Sequence, residues 1–319
     1  MKVSIIIVNW NTRELLRQCL QSVYDETTVP FEVFVVDNAS SDGSADMVRQ
    51  NFPQVHLIAN DQNRGFAAAN NQAIPLARGE YILLLNPDTK VLDHAIDKMV
   101  NYMDGHPEVG ACASKLLNGD GTLQKSVGNF YSFWRTLLEN RLIPMLFPNS
   151  KVLSKKLVAF WDHSTVREID WARGAVLMVR KSIVEKIGLL DEQFYIYGEE
   201  VDWCWRIKET GAKIVYIPDA VIIHYGKAAS SQRHVEMFIQ NYKSFYIFLK
   251  KHYPWYTYWI YRIRTTIYHF FWIARFALIK LIKDKDSPQY QDAVKGMKAY
   301  WASLKWHFSS KSKISVVKT

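Results

Sequence analysis

The chain is poor in cysteine, with three in 319 residues: Cys19, Cys112 and Cys204, scattered and odd in number. That pattern excludes a disulfide framework and a CxxC metal knot, and a reducing cytosol is the simplest home. Phosphate-cradling glycine loops are missing as well. Neither G-x-G-x-x-G nor G-x-x-x-x-G-K-[ST] occurs, so a dinucleotide dehydrogenase and a P-loop ATPase lose their main support. There is no zinc-finger or RNA-sheet signature, and nucleic acid is not an expected partner. The apolar run within Met1 to Asn9 is too short for a signal h-region and no small-residue cleavage site follows it. Export is therefore not expected, and the Asn38-Ala39-Ser40 sequon reads as coincidence. Long uncharged apolar runs are absent too: in the aromatic C-terminal block the longest window free of Lys, Arg, Asp and Glu is Thr265 to Ala274, too short to span a bilayer.

What is present is a large apolar fraction, 49% of the chain, enough for one or two globular units. The formal net charge is +9. Much of the excess lies in the last quarter, where Lys and Arg alternate with Trp, Tyr and Phe; this favours a lipid surface. A helix lying in the membrane interface is preferred there over a spanning helix or a soluble packing helix.

Residues 3–8 form a β-branched run that ends in Asn9-Trp10-Asn11, and Leu15, Leu16, Cys19, Leu20 and Val23 then fall on one side of a helix. The unit recurs: strand 32–36 ending in Asp37, helix from about 43, strand 55–59, helix from about 65, strand 80–85. Strands alternating with helices predict a largely parallel α/β sheet with ligands at the carboxyl ends of its strands. Each of those ends is polar: "NWN", "DNASSDGS", "NDQNRGF" and "NPDT". One such loop is ordinary turn chemistry, but four on one rim point to a site. From about 109 the pattern loosens, and residues 114–170, broken by Pro144 and Pro148, read as an insertion or an acceptor-side loop. Order returns with a strand at 175–180, a helix from 181, a helix over 199–210 closed by Gly211, and strands at 213–217 and 220–224. From about 235 the chain is helical and aromatic.

Several residue types in these loops suit a phosphorylated ligand. Asp37 either closes its turn or accepts hydrogen bonds from a base edge or ribose hydroxyl, with Asn38, Ser40 and Asp42 beside it; Asp42 also suits capping of the next helix. Arg64, then Gly65 and three alanines, offers a guanidinium and a helix start, both of which suit a diphosphate. The alanines are equally ordinary helix packing. Asp88 either forms the turn after Pro87 or supplies the one carboxylate a hard divalent cation needs when phosphate oxygens and water complete its shell. Glu199 and Glu200 fall at a helix start, where capping accounts for one of them. The second, near Asp202, Trp203 and Tyr197, suits a general base, and an apolar wall there would raise its pKa. His224 ends a strand, either as a structural residue or as a metal or phosphate ligand.

Taken in order, "VSIIIVNWN", "VVDNASSDGS", "NRGFAAANN", "LLLNPDT", "RGAVLMVRK", "YGEEVDWCWR" and "HYGKAAS" resemble the family 2 glycosyltransferases of the GT-A fold, in particular the bacterial rhamnosyltransferase-like branch, over about residues 3–230. The resemblance implies a Rossmann-like, mostly parallel α/β sheet with 1–110 for the nucleotide sugar and 111–234 for acceptor and catalysis; the composition of 235–319 adds a helical membrane-interface segment. It implies donor binding by Val8, Asn9, Asn11, Asp37, Asn38, Ser40, Asn63, Arg64, Gly65, Asn86 and Asp88. The family's "DxD" position reads Asn86-Pro87-Asp88 here, so its first aspartate is missing and Asp88 inherits the cation, Mg2+ or Mn2+, with His224 where the family has a metal-binding histidine. Its "ED" pair maps onto Glu199-Glu200, which makes Glu200 the base although aspartate is usual there, and Arg173, Gly174, Ala175, Glu199, Asp202 and Trp203 would line the sugar sites. The implied reaction is one inverting displacement from a nucleoside-diphosphate sugar, dTDP-rhamnose favoured over UDP-sugars, onto a lipid-linked saccharide in cell-surface polysaccharide synthesis. The implied place is the cytoplasmic face of the membrane. Rival readings are an inactive nucleotide-sugar-binding scaffold, a nucleotidyltransferase, which should carry a basic glycine loop that "NWNTRELL" lacks, and, weakest, a nucleic-acid binder.

Overall fold

A β-branched run buried along its whole length starts the fold, and a computed structural model describes residues 1–132, 158, 161–226 and 233–309. These divide into two compact units, one of residues 1–191 and 200–228, the other of residues 192–199 and 229–319. The first begins with β1 (Val3–Asn9), α1 (Arg13–Glu26), β2 (Phe31–Asp37), α2 (Ser44–Asn51), β3 (His56–Ala59), α3 (Phe66–Ala73) and β4 (Tyr81–Leu85). In these, as the sequence predicts, strand and helix alternate. Then come β5 (Thr89–Val91), α4 (Ala95–Gly105), β6 (Val109–Leu117), β7 (Leu123–Gln124), β8 (Val127–Gly128), β9 (Arg167–Glu168), β10 (Trp171–Ala172), β11 (Val176–Arg180), α5 (Lys181–Ile187), α6 (Glu199–Glu209) and β12 (Lys213–His224).

The main sheet runs β3-β2-β1-β4-β11-β6-β12-β5. Its first four strands are parallel, and β11 runs antiparallel to β4. Side chains alternate across it. Val3, Ile5 and Ile7 pack with α1, α2 and α4 on one face, while Ile6 and Val8 pack with α3, α5 and α6 on the other. Each fully buried aliphatic contributes about 1.5–3 kcal/mol, so both faces drive the same register; this two-sided cover explains why the strands read as continuous apolar runs.

Two expectations change. The strands expected at 213–217 and 220–224 are one strand, β12, whose pairing with β6 shifts between Ile217 and Val221. Pro218 sits in that shift, where its missing N–H is tolerated. The loosened pattern from 109 hides β6, a nine-residue strand buried over most of its length. Residues 133–157 and 159–160, Lys227–Ser230 of the last motif included with 231–232, lie outside the described residues.

The second unit holds α7 (His234–His252), α8 (Trp255–Ile282) and α9 (Pro288–Phe308). Tyr258, Tyr261, Thr265, His269 and Ile273 form the buried stripe of α8 at helical spacing. Gly296 of α9 permits close approach, since a Cβ there would lie 2.6 Å from the Phe276 ring. By length and composition α8 is a helix that could cross a membrane. The helix is about 42 Å long and carries Arg262, Arg264, Arg275 and Lys280 along it.

Candidate active site

The carboxyl ends of β1, β2 and β4 meet the amino end of β11 and the last residue of β12 on one rim of the sheet, through the pairs Asn9–Asp37, Leu85–Val176 and Thr89–His224. Parallel strands put every chain exit on that rim, so polar residues far apart in sequence converge there.

At the first pair, Asn9 is fully buried, and its Nδ2 donates to Asp37 Oδ1 (2.8 Å) and Ser40 Oγ (3.1 Å). Thr12 Oγ1 donates to Asn9 Oδ1 (2.6 Å), which fixes the amide. Asp37 also accepts from Ser40 N (2.9 Å), and Asn11, at φ 51°, donates its N–H to Ser40 Oγ. Asp42 joins two helix starts by accepting from Arg13 N (2.8 Å) and Ser44 N (3.0 Å), the structural role foreseen for it. Val8 is a buried strand residue paired with Val36.

Asn38 carries the contact network onward. Its Nδ2 donates to Gly65 O (3.1 Å), and its Oδ1 accepts from Asn60 Nδ2 (3.0 Å) and Arg64 N (3.3 Å). Gly65 has φ 85° and ψ 175°, a conformation that requires glycine, and Asn63 Oδ1 accepts its N–H (3.0 Å). Arg64 is therefore held at the start of α3 with its side chain exposed.

Beyond α3 lies Gly174. A Cβ built on it would meet the Phe66 ring at 3.4 Å and the Glu200 Cβ at 3.5 Å, so Phe66 and Glu200 flank it. Glu200, in the first turn of α6, is buried; Glu199 precedes it, is buried and belongs to the second unit. Arg173 is exposed, with its N–H on Ser126 O (2.9 Å). Asp202 and Trp203 do not reach the rim as open groups: both are fully buried. Asp202 pairs with Arg206 Nε (2.8 Å), and the Trp203 indole donates to Gly188 O (3.0 Å). They anchor α6.

Asn86 N donates to Ala175 O (2.9 Å), which ties the "NPDT" turn to the same group. Asp88 is buried, with Oδ1 3.3 Å from His224 Nε2, and Asn86 Nδ2 lies 3.3 Å from that nitrogen. Among the described residues no group of three or more His, Cys, Asp and Glu side chains gathers as a metal cluster; Asp88 and His224 form a pair. The pair fits a divalent cation. Ligand atoms at right angles in an octahedral shell of about 2.1 Å radius stand about 3 Å apart, close to the separation found, and phosphate oxygens and water commonly supply the remaining positions. The sequence did not single out Gln124, whose Oε1 lies 2.6 Å from His224 Nδ1. A lone glutamine in an irregular stretch gives no signal.

The family profile described as Glycosyl transferase family 2 matches residues 4–164. An N-acetylglucosaminyl-diphospho-decaprenol L-rhamnosyltransferase of Mycobacterium tuberculosis is 26% identical over 263 residues, 79% of this chain and 85% of its own. A low-salt glycan biosynthesis hexosyltransferase of Haloferax volcanii is 27% identical over 66% of this chain and 63% of its own. A mannosyltransferase of Pyrobaculum calidifontis, solved with GDP-Man and Mn2+, superposes with a TM-score of 0.52 over 99% of this chain and 76% of its own at 17% identity. That likeness gives the GT-A fold.

Proposed function

The chain belongs to glycosyl transferase family 2 and is a glycosyltransferase, and from that premise we propose that it transfers a sugar, rhamnose favoured, from a nucleoside-diphosphate sugar to a lipid-linked saccharide with inversion. The observation that carries the proposal is the gathering on one sheet rim of two contact series, Asn9 to Asp37 with Asn38 to Gly65, and Ala175 through Asn86 to Asp88 and His224, with Gly174 flanked by Phe66 and Glu200. The Mycobacterium tuberculosis relative, an N-acetylglucosaminyl-diphospho-decaprenol L-rhamnosyltransferase, supports the choice of sugar and lipid.

In this reading Asp37, Asn9, Asn38 and Ser40 receive the base and ribose, with Val8, Asn11 and Asn63 shaping the loops around them. Asn86 and Ala175 hold the turn that presents Asp88, and Gly174 leaves room beside Glu200 for the acceptor; Asp202 and Trp203 set the helix that carries the base. Glu200 takes the proton from an acceptor hydroxyl as that oxygen bonds to the anomeric carbon, and the bond from that carbon to the diphosphate oxygen breaks with its electron pair leaving on the diphosphate. Arg64 and Arg173, exposed at the rim, meet the departing charge. A divalent cation on Asp88 and His224 would supply further neutralisation of that diphosphate. An imidazole nitrogen beside a carboxylate tilts the pair toward Mn2+ over Mg2+.

The solvent side of α8 supports a place on the inner face of the membrane. Ile260, Ile263, Ile267, Phe271, Leu278 and Leu281 follow one another on the side opposite the buried stripe, with Ile267 64% and Leu281 83% exposed. A continuous apolar strip of that length, flanked by Arg264 and Arg275, suits the headgroup boundary of an anionic bilayer.

The test is Glu200→Gln assayed with a panel of nucleotide sugars and a lipid-linked acceptor. Transfer should vanish while nucleoside-diphosphate binding stays nearly intact; equal loss of both would reassign Glu200 to a purely structural helix start.

A further inference from the structure

Of the two ring nitrogens of His224, only Nε2 faces Asp88 and Asn86. To bind a cation it must present a lone pair, so the proton of the neutral ring must sit on Nδ1. Nδ1 faces Gln124 Oε1 at 2.6 Å. That contact decides the tautomer only if the amide lies this way round, and oxygen and nitrogen of an amide are alike in shape. The backbone settles it. Gln124 Nε2 lies 3.1 Å from His224 O and 2.8 Å from Asn118 Oδ1. A carbonyl oxygen only accepts, so the NH2 group must be the one there, and Oε1 must be the atom against the ring. An amide oxygen also only accepts, so Nδ1 must donate.

The rest of the chain of bonds agrees in direction. Asn118 Nδ2 donates to Thr122 Oγ1 (2.9 Å), and that hydroxyl donates to Asp120 Oδ1 (2.6 Å). Every link from the ring passes a hydrogen outward and the last acceptor is a carboxylate, so each bond polarises the next in the same sense. β7 makes this possible. It is two residues long, and its pairing of Gln124 with Leu116 sets the side chain beside the end of β12.

We propose that Gln124 is the positioning residue that holds neutral His224 as its Nδ1–H tautomer and so leaves the Nε2 lone pair for the divalent cation shared with Asp88. The inference rests on the reading of Asp88 and His224 as the cation pair. Without Gln124 the Asp88 carboxylate, 3.3 Å from Nε2, draws the proton onto that nitrogen against the Asn86 amide, also 3.3 Å away, and closes it to a metal.

The experiment uses the full chain labelled with 15N-histidine at mildly alkaline pH. His224 is assigned by the His224→Gln variant. Long-range proton–nitrogen correlations in metal-free protein should show Nε2 unprotonated in the wild type and protonated in Gln124→Leu. Mn2+ alone, titrated by electron paramagnetic resonance, should bind about 10- to 100-fold more weakly to Gln124→Leu. Gln124→Glu keeps an acceptor for Nδ1–H and should restore the tautomer, at the cost of the bonds to His224 O and Asn118 Oδ1. A protonated Nε2 in the wild type, or a tautomer unchanged in Gln124→Leu, overturns the inference. If the tautomer moves as expected while His224→Gln leaves Mn2+ binding unchanged, Gln124 stands as the tautomer-setting residue and the cation pair falls.

Discussion

Acid should loosen the helical unit, because two imidazoles are buried in it. His269 is fully buried; its Nδ1 lies 2.6 Å from Thr265 O, a carbonyl that only accepts, so the neutral ring donates there and accepts from Ser303 Oγ at Nε2 (2.9 Å). His307 repeats the arrangement, with Nδ1 donating to Ser303 O (2.8 Å) and Nε2 accepting the Tyr246 hydroxyl (2.7 Å). Around them pack Phe238, Tyr242 and Tyr300, and the Arg262 guanidinium donates to His307 O. Burial pushes the His269 pKa from 6.5 down to about 4, against the Thr265 carbonyl and with the help of His307, whose own value burial also lowers. A folded value below the unfolded one means that between about pH 6.5 and pH 4 the unfolded chain holds a proton the folded chain lacks. The contribution is therefore complete above pH 6.5 and is lost as the pH falls. At about 1.4 kcal/mol per unit, His269 alone costs about 2 kcal/mol by pH 5 and about 3 kcal/mol by pH 4. Urea unfolding followed by helix dichroism, with hydrogen exchange to localise it to α7–α9, measures this at pH 7.5 and pH 5. His269→Gln should be less stable at pH 7.5 but lose less on acidification. Equal stability of the wild-type helices at both pH values, or the same acid loss in the variant, would refute the argument.

Two further outcomes are expected. Asp88→Ala should abolish the tightening of nucleoside-diphosphate binding by Mn2+, a change calorimetry reads directly; unchanged tightening would remove Asp88 from the site. Replacing exposed Ile263 and Ile267 together by Glu should release the protein from anionic vesicles in a sedimentation assay without lowering its unfolding midpoint, since neither side chain is in the core. Continued sedimentation would move the lipid contact elsewhere.

The strand–helix alternation of residues 3–85 was legible because both faces of the sheet are covered, which leaves long apolar runs with polar ends. α4 and β6 were not read. α4 does carry Ala95, Ile96, Met99, Val100 and Met103 at helical spacing, but β6, "VGACASKLL", is built of small residues that fit either structure. Its identity is settled by β11 and β12 on its two sides. Asp202 illustrates a different limit. A sequence shows an acidic residue near a helix start but not the side of the helix it occupies, and the i, i+4 bond to Arg206 turns it inward. Gln124 depends on a two-residue strand and on a backbone carbonyl 100 positions away, and nothing local in the sequence encodes either.

The two rims of the same strands differ in a way that argues for the site. At the opposite rim Glu32 is buried as deeply as Asp37 and Asp88, but it accepts from Ser4 Oγ (2.6 Å), Arg78 N (2.7 Å) and the Arg78 guanidinium (2.8 and 3.0 Å). Its charge is balanced within the protein, and Gly79 lets the chain close over it, since a Cβ there would stand 2.5 Å from Ser4 N. At the carboxyl rim the partners described for Asp37 are amide and hydroxyl-residue N–H groups, and Asp88 faces an imidazole whose proton, if Gln124 fixes the tautomer, is turned away. Carboxylates arranged like this hold negative charge that neutral donors orient but do not cancel. In the proposed function a cation and the hydroxyls of a ribose would complete this rim, whereas Glu32 already has its counter-charge in Arg78.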